Sequence, residues 1–316
     1  MMAPPKDVYL QMAANNRKLL ALIVLFPVSL AVFVYAFLWL FYVIAVDGEM
    51  SYEEYQPFLQ DTFSILVPII ILICVGTTIF SLYAGKDLIL NLTGARLCPD
   101  TQHNRKVYQA VENIALAAGI PMPKVYVIRS PALNAFATGY SPNNAAVTLT
   151  SGLIERLSPL ELEAVIAHEI GHILNRDIRL NLFIITGIGL IGLFGELLIR
   201  IRLRGNSKGK SGQLIAILIL IGLALYLYRY FVAPLLHMAI SRTQEFQADA
   251  TSAYLTRNPQ ALIDALSKIS ENPTVDDLSS KSFAAMCIFN PLDKVSHLLD
   301  THPPIQERIA RLEQMS

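Results

Sequence analysis

The chain has little charge and little cysteine, and it has no bias of sign. Lys, Arg, Asp and Glu make up 16% of its 316 residues, against about a quarter in a soluble domain. The 25 basic and 25 acidic side chains cancel, so no net positive field exists to hold nucleic-acid phosphates. Cys74, Cys98 and Cys287 stand in no paired spacing. That excludes a disulfide scaffold and a cysteine zinc finger, and it suits a reducing compartment. Apolar residues, at 53%, are too many for a disordered chain.

Charge is wholly absent from two long stretches. Leu19–Val46 runs for 28 residues and Phe63–Tyr83 for 21, each beyond the roughly 20 that cross a bilayer core. The first is too long for a signal-peptide core, and no clear cleavage site follows it. A third run, Leu180–Ile199, carries Glu196, and a fourth, Gln213–Ile240, carries Arg229. Ionisable groups in a span are costly, so this pair reads as a membrane hairpin, with a re-entrant or interfacial pair as the alternative. Lys6, Arg17 and Lys18 precede the first run, whereas residues 47–62 hold five acids and no Lys or Arg. The positive-inside rule then puts the N-terminus and the segment after residue 84 in the cytoplasm. The basic residues Arg200, Arg202, Arg204, Lys208 and Lys210 oppose that rule if the hairpin spans.

Two polar segments remain, 84–179 and 241–316. A helix is expected over Asn104–Gly119, with Val107, Val111 and Ile114 on one face and Gly119 as its C-terminal cap. Strands are expected at Lys124–Arg129, Asn134–Thr138 and Ala145–Thr150. Ser158-Pro159-Leu160-Glu161 is a capping box that opens a helix reaching about Asn175. Further helices are expected over 241–256, 260–270 and 304–315, the last with Ile305, Ile309 and Leu312 as its buried stripe. The expected fold is mainly α with a small β-sheet (α+β), an integral membrane protein with about four transmembrane helices. Residues 1–84 form the N-terminal membrane region. Residues 85–179 and 241–316 are the two parts of a polar domain, and 180–240 is the hairpin between them.

The capped helix carries His168-Glu169-Ile170-Gly171-His172. Side chains at i and i+4 share a face, so both imidazoles can reach one zinc ion, and Glu169 can take a proton from the attacking water. Gly171 keeps the space between the histidines small. HExxH alone also occurs by chance on amphipathic helices. A catalytic zinc takes three protein ligands and one open position. No His lies between His172 and His237, which leaves an acidic third ligand as the option. Glu245, in Ser241-Arg-Thr-Gln-Glu-Phe-Gln-Ala-Asp249, is the candidate. Asp249, four residues on, could orient a ligand His through its other ring nitrogen. The competing reading is a solvated acidic face paired with Arg242.

HEIGH on a capped helix, an apolar hairpin, then SRTQEFQAD closely resembles the HtpX-like membrane zinc metalloproteases. These are gluzincins related to the CAAX prenyl protease, and the resemblance covers nearly the whole chain. It implies a zincin-like catalytic domain with His168, His172 and Glu245 as zinc ligands, Glu169 as general base, and Asp249 as a support behind the ligands. It also implies that Asn134, Ala135, Phe136 and Ala137 form the edge strand along which substrate lies, by strand addition; a turn is the alternative for Asn134. Near the C-terminus the family has a His-Pro followed by an Arg, here His302-Pro303 and Arg308. The resemblance suggests that both face the substrate carbonyl or backbone; a helix-capping segment is the alternative.

The expected function is a zinc-dependent endopeptidase of the cell (inner) membrane, multi-pass, with its N-terminus and catalytic domain cytoplasmic. Its partners would be the lipid bilayer and polypeptide substrates, misfolded or damaged membrane proteins among them, and no nucleic acid. One alternative is a non-proteolytic scaffold or chaperone with a structural zinc, against which an intact Glu169 speaks. Another is a CAAX-type prenyl-protein processing protease, whose relatives enclose a chamber with more spans than four.

Overall fold

The computed structural model describes residues 6–45, 52–102, 104–201, 210–271 and 303–315. His302 and residues 202–209, which hold Arg202, Arg204 and Lys208 of the basic loop, lie outside them. The uncharged runs become uninterrupted helix, because a chain in lipid must satisfy every backbone polar group internally. Helix α1 spans Lys6–Ala45 and α2 spans Tyr52–Leu92. Both outrun the apolar stretches that seed them. Helix α6 spans Asp177–Ile201 and α7 spans Lys210–Thr256. The sequence suggested a break between the fourth run and the helix with Glu245. Instead α7 continues for 47 residues, since nothing from Ile240 to Arg242 stops a helix. Among the described residues, Met12–Leu40, Val67–Leu92 and Asp177–Arg200 are long and apolar enough to cross a bilayer, and Leu218–Phe231 is a shorter apolar helix.

The chain forms two compact units. One comprises 20–81 and 186–233. Its helices turn apolar side chains such as Leu25, Val32 and Leu72 outward, as a lipid-facing surface requires. Within it, Ser29 and Tyr228 share a hydrogen bond of 2.8 Å, and Ser81 bonds Thr186. A Cβ on Gly195 would lie 2.8 Å from the Gly222 carbonyl oxygen, so α6 and α7 meet backbone to backbone through small residues.

The other unit comprises 1–19, 82–185 and 234–316. Strands β1 (Arg96–Leu97), β2 (Lys124–Ile128), β3 (Ala135–Gly139) and β4 (Ala145–Thr150) form one sheet in the order β1-β2-β4-β3. β2 and β4 are parallel, and β3 pairs antiparallel with β4. Its helices are α3 (Arg105–Ala118), α4 (Ser151–Arg156), α5 (Pro159–Leu174), α8 (Pro259–Glu271) and α9 (Ile305–Glu313). α3 ends at Gly119, whose φ of 68° is left-handed and suits glycine. The α5 capping box is complete: Ser158 N–H donates to Glu161 at 2.7 Å and Glu161 N–H donates to Ser158 Oγ at 3.4 Å. Val111, Val147, Leu149, Val165, Ile166 and Leu262 are fully buried in a single core. The buried stripe of α9 is Ile305, Arg308 and Leu312. It includes a charged residue that apolar periodicity passes over.

Candidate metal centre and active site

His168 and His172 lie on α5, one turn apart, and both are buried. Their Nε2 atoms are 3.3 Å apart. Glu245 approaches from α7, with Oε2 at 3.6 Å from His168 Nε2 and Oε1 at 3.7 Å from His172 Nε2. Gly171 permits this approach. A Cβ there would sit 3.2 Å from Thr251 Cβ and 3.3 Å from Ala248 Cα. Its smallness thus admits α7, rather than clearing space between the histidines. Ser252 Oγ donates to the Ala164 carbonyl at 2.7 Å and ties the same two helices.

Each imidazole has a carboxylate behind it. Asp249 Oδ1 lies 2.9 Å from His168 Nδ1, and Asp177 Oδ2 lies 3.0 Å from His172 Nδ1. A carboxylate at Nδ1 holds the ring proton there, so each Nε2 is left as a lone pair. With both imidazoles neutral, two Nε2 lone pairs and a carboxylate then face one another. Such a cluster calls for a cation. The three donor atoms lie within 4.8 Å of one another. A tetrahedral zinc with bonds of about 2.0–2.1 Å needs donors about 3.3–3.4 Å apart, close to the spacings present. Charge points the same way. The carboxylates of Glu169, Asp177, Glu245 and Asp249 are all buried, and the guanidinium of Arg308 is the cation among them. Burial alone would push the His168 imidazole down, but its hydrogen bonds to Asp249 and Glu245 raise it to about 9. The pocket therefore favours positive charge at this position.

Glu169 is buried on the same helix, and burial pushes its carboxyl up. The Ala137 backbone acts against that rise, and α5 packs on strand β3. β3 is the last strand of the sheet. Along it Phe136 packs with Ile89, Ile128 and Leu182, whereas Ala135 and Ala137 face the main core. Asn134, just before β3, is buried; its N–H donates to Thr150 Oγ1 at 3.0 Å, and its carbonyl accepts from Thr150 N–H at 3.0 Å. The backbone ahead of the strand is thereby fixed.

Arg308, which the resemblance has facing substrate, is fully buried beside the ligands. Its Nε donates to Asp249 Oδ2 at 2.8 Å and its Nη2 to Asp249 Oδ1 at 2.6 Å. Nη1 lies 3.3 Å from Glu245 Oε2. The planar guanidinium thus grips two carboxylates at once. Burial alone would raise the Asp249 carboxyl, but the Arg308 charge and the His168 bond hold it below its ordinary value.

Asp177 escaped the sequence reading. After α5, Arg176 adopts φ 62°, a left-handed conformation that costs a non-glycine residue roughly 1–2 kcal/mol. The turn returns Asp177 to His172. An acid two residues past the C-cap Asn175 was the available signal, but nothing local shows that the chain reverses there.

In a chain with helices able to cross a bilayer, such a cluster offers the chemistry of a membrane metallopeptidase. Residues 101–316 match the family described as peptidase family M48. A protease HtpX homolog of Bacteroides fragilis is 35% identical over 318 residues, covering 96% of this chain and 97% of that protein. The HtpX homolog of Dictyoglomus turgidum is 40% identical over 246 residues, covering 77% and 80%. That of Dictyoglomus thermophilum is 36% identical over 314 residues, covering 98% and 96%. The crystal structure of S. mikatae Ste24p is a looser likeness, at 21% identity and a TM-score of 0.44 over 98% of this chain and 67% of that one, too low to carry an argument. The chain belongs to peptidase family M48. It is a multi-pass membrane metalloprotease of the HtpX-like kind, and its substrates are polypeptides.

Proposed function

We propose that the metal is zinc, held by His168, His172 and Glu245, and that Glu169 is the general base. The observation that carries this reading is the set of donor atoms at 3.3, 3.6 and 3.7 Å, with a carboxylate fixing the proton of each imidazole on its far side. Zinc, when bound, supplies a Lewis acid that polarises a carbonyl and lowers the pKa of water. Glu169 takes the proton of the attacking water and passes it to the leaving amine. Its upward-shifted carboxyl suits both steps, since a base works best with a pKa near the working pH. Asp249 and Asp177 orient the two imidazoles, and Arg308 holds Asp249 and Glu245. The outer edge of β3, from Ala135, accepts an extended peptide by strand addition, and the His-Pro pattern makes His302 a candidate donor to the substrate carbonyl or backbone.

The catalytic domain is formed by residues 85–179 and 241–316, preceded by the membrane region 1–84 and interrupted by the 180–240 hairpin. The basic residues before the first span and the acidic loop after it support a cytoplasmic catalytic domain in the inner membrane. Substrates that reach such a site include misfolded or damaged membrane proteins. A structural zinc normally has four protein ligands. The three donors among the described residues, with an acid beside them, favour a catalytic site. Casein hydrolysis by the purified protein in detergent tests the reading. A zinc chelator should abolish cleavage and added zinc restore it; cleavage that survives full metal removal would contradict it.

A further inference from the structure

Asn15 is a polar residue on the buried stripe of α1. Asn15, Leu22, Phe26, Leu30 and Val34 are the buried positions of that helix face, and all but the first are apolar. A buried amide must find partners. The partners of Asn15 lie 160 and 162 residues away in sequence. Its Nδ2 donates to the Asn175 carbonyl at 2.9 Å and to Asp177 Oδ1 at 2.5 Å. Both partners are acceptors only, so the amide nitrogen faces them. Asn175 is the C-cap of the helix that carries both histidines, and helix ends leave carbonyls without intrahelical partners. Asp177 is the carboxylate behind His172.

We infer that Asn15 is a positioning residue of the metal centre: it fixes the Asp177 carboxylate, and through it the ring of His172, so that the N-terminal helix is part of the metal site. One oxygen of Asp177 takes the imidazole and the other takes the amide, which leaves the carboxylate no freedom to rotate. Asn16, next along the helix, is exposed, and its side chain accepts from Arg179 at 3.4 Å. The inference rests on His172 being a ligand.

The test is metal affinity, read by competition with a chromophoric chelator on the full chain in detergent, together with the visible spectrum of the cobalt-substituted protein. Partners behind a metal-bound His are worth about 10–100-fold in affinity. Asn15→Ala, which acts one bond further out, should weaken zinc about 10-fold and shift the cobalt bands. Asn15→Leu, which keeps the volume and the helix, should do the same, and Asn16→Ala should do neither. Unchanged affinity and cobalt spectrum in a folded Asn15 variant would overturn the inference. So would failure of both Asn15 variants to fold, which would mark the residue as purely architectural. His168→Ala, measured alongside, separates the two levels. If it keeps zinc, the ligand assignment itself fails; if it loses zinc while Asn15 variants keep theirs, only the inference fails.

Discussion

His168 and His172 share one helix face, yet the groups behind them differ in kind. Behind His168 stands an ion pair, Asp249 gripped by Arg308, which also reaches Glu245. Behind His172 stands Asp177, steadied by the neutral amide of Asn15. The first device spans three elements, α5, α7 and α9, and joins the two sequence-distant parts of the unit. The second closes on the α5–α6 turn and the start of α1. The first carries charge in a fully buried place, so breaking it costs far more than the loss of one hydrogen bond. The second costs the fold less and acts mainly on the ring it orients.

Removing each carboxylate in turn sharpens this contrast most. Asp249→Ala leaves the buried Arg308 guanidinium with Glu245 alone, and breaking a buried pair costs about 3–5 kcal/mol. Unfolding in denaturant should show that loss, and zinc should leave with it. Asp177→Ala strands an amide rather than a charge, at about 1–3 kcal/mol, with zinc weakened about 10–100-fold. Equal losses of stability in the two variants would erase the distinction.

A smaller effect is expected at Gly171, where both devices depend on how closely α7 lies against α5. Gly171→Val adds methyl groups where Cβ already meets Thr251 and Ala248, and overpacking of this kind costs about 1–3 kcal/mol. Zinc affinity should fall too, because Glu245 is carried outward while both histidines stay.

The smallest effect lies at the α5 start, far from either device. Burial alone would raise the Glu161 carboxyl, but Lys268 and Ser158 hold it below its ordinary value. A folded value below the unfolded one means full stabilisation above the unfolded value of about 4.3, lost as pH falls through the folded value. Glu161→Gln should therefore cost about 1 kcal/mol at pH 7, as caps do, and the gap to wild type should close in acid. A gap independent of pH would assign the effect to packing.

The contrast between the two devices also marks how far the sequence is legible. α5 was readable in full, because its capping box, periodicity and HEIGH spacing are local. Strands β2, β3 and β4 and the C-cap of α3 were readable for the same reason, whereas the two-residue β1 and the short α4 were too brief to show a period. Glu245 was a candidate as an acid past the last apolar run and Asp249 by its spacing from it, although nothing local revealed that α7 runs unbroken from Lys210 to reach them. The family's His-Pro and Arg pattern drew attention to Arg308, but its grip on Asp249 and Glu245 is a contact between distant segments that a sequence does not show. Asp177 and Asn15 were invisible for a stronger reason. Their pairing needs a left-handed Arg176 and a contact across 162 positions, and neither leaves a local pattern.

The most direct measurement is zinc content and casein turnover of Glu169→Gln on one preparation, free of co-purified protease. Glu169 is expected to move a proton, not to hold the metal. The variant should keep zinc at wild-type stoichiometry and melt near wild type. Turnover should fall at least about 100-fold, the lower bound for losing a general base. Cleavage at near wild-type rate, with zinc in place, would contradict the assignment of base and site together.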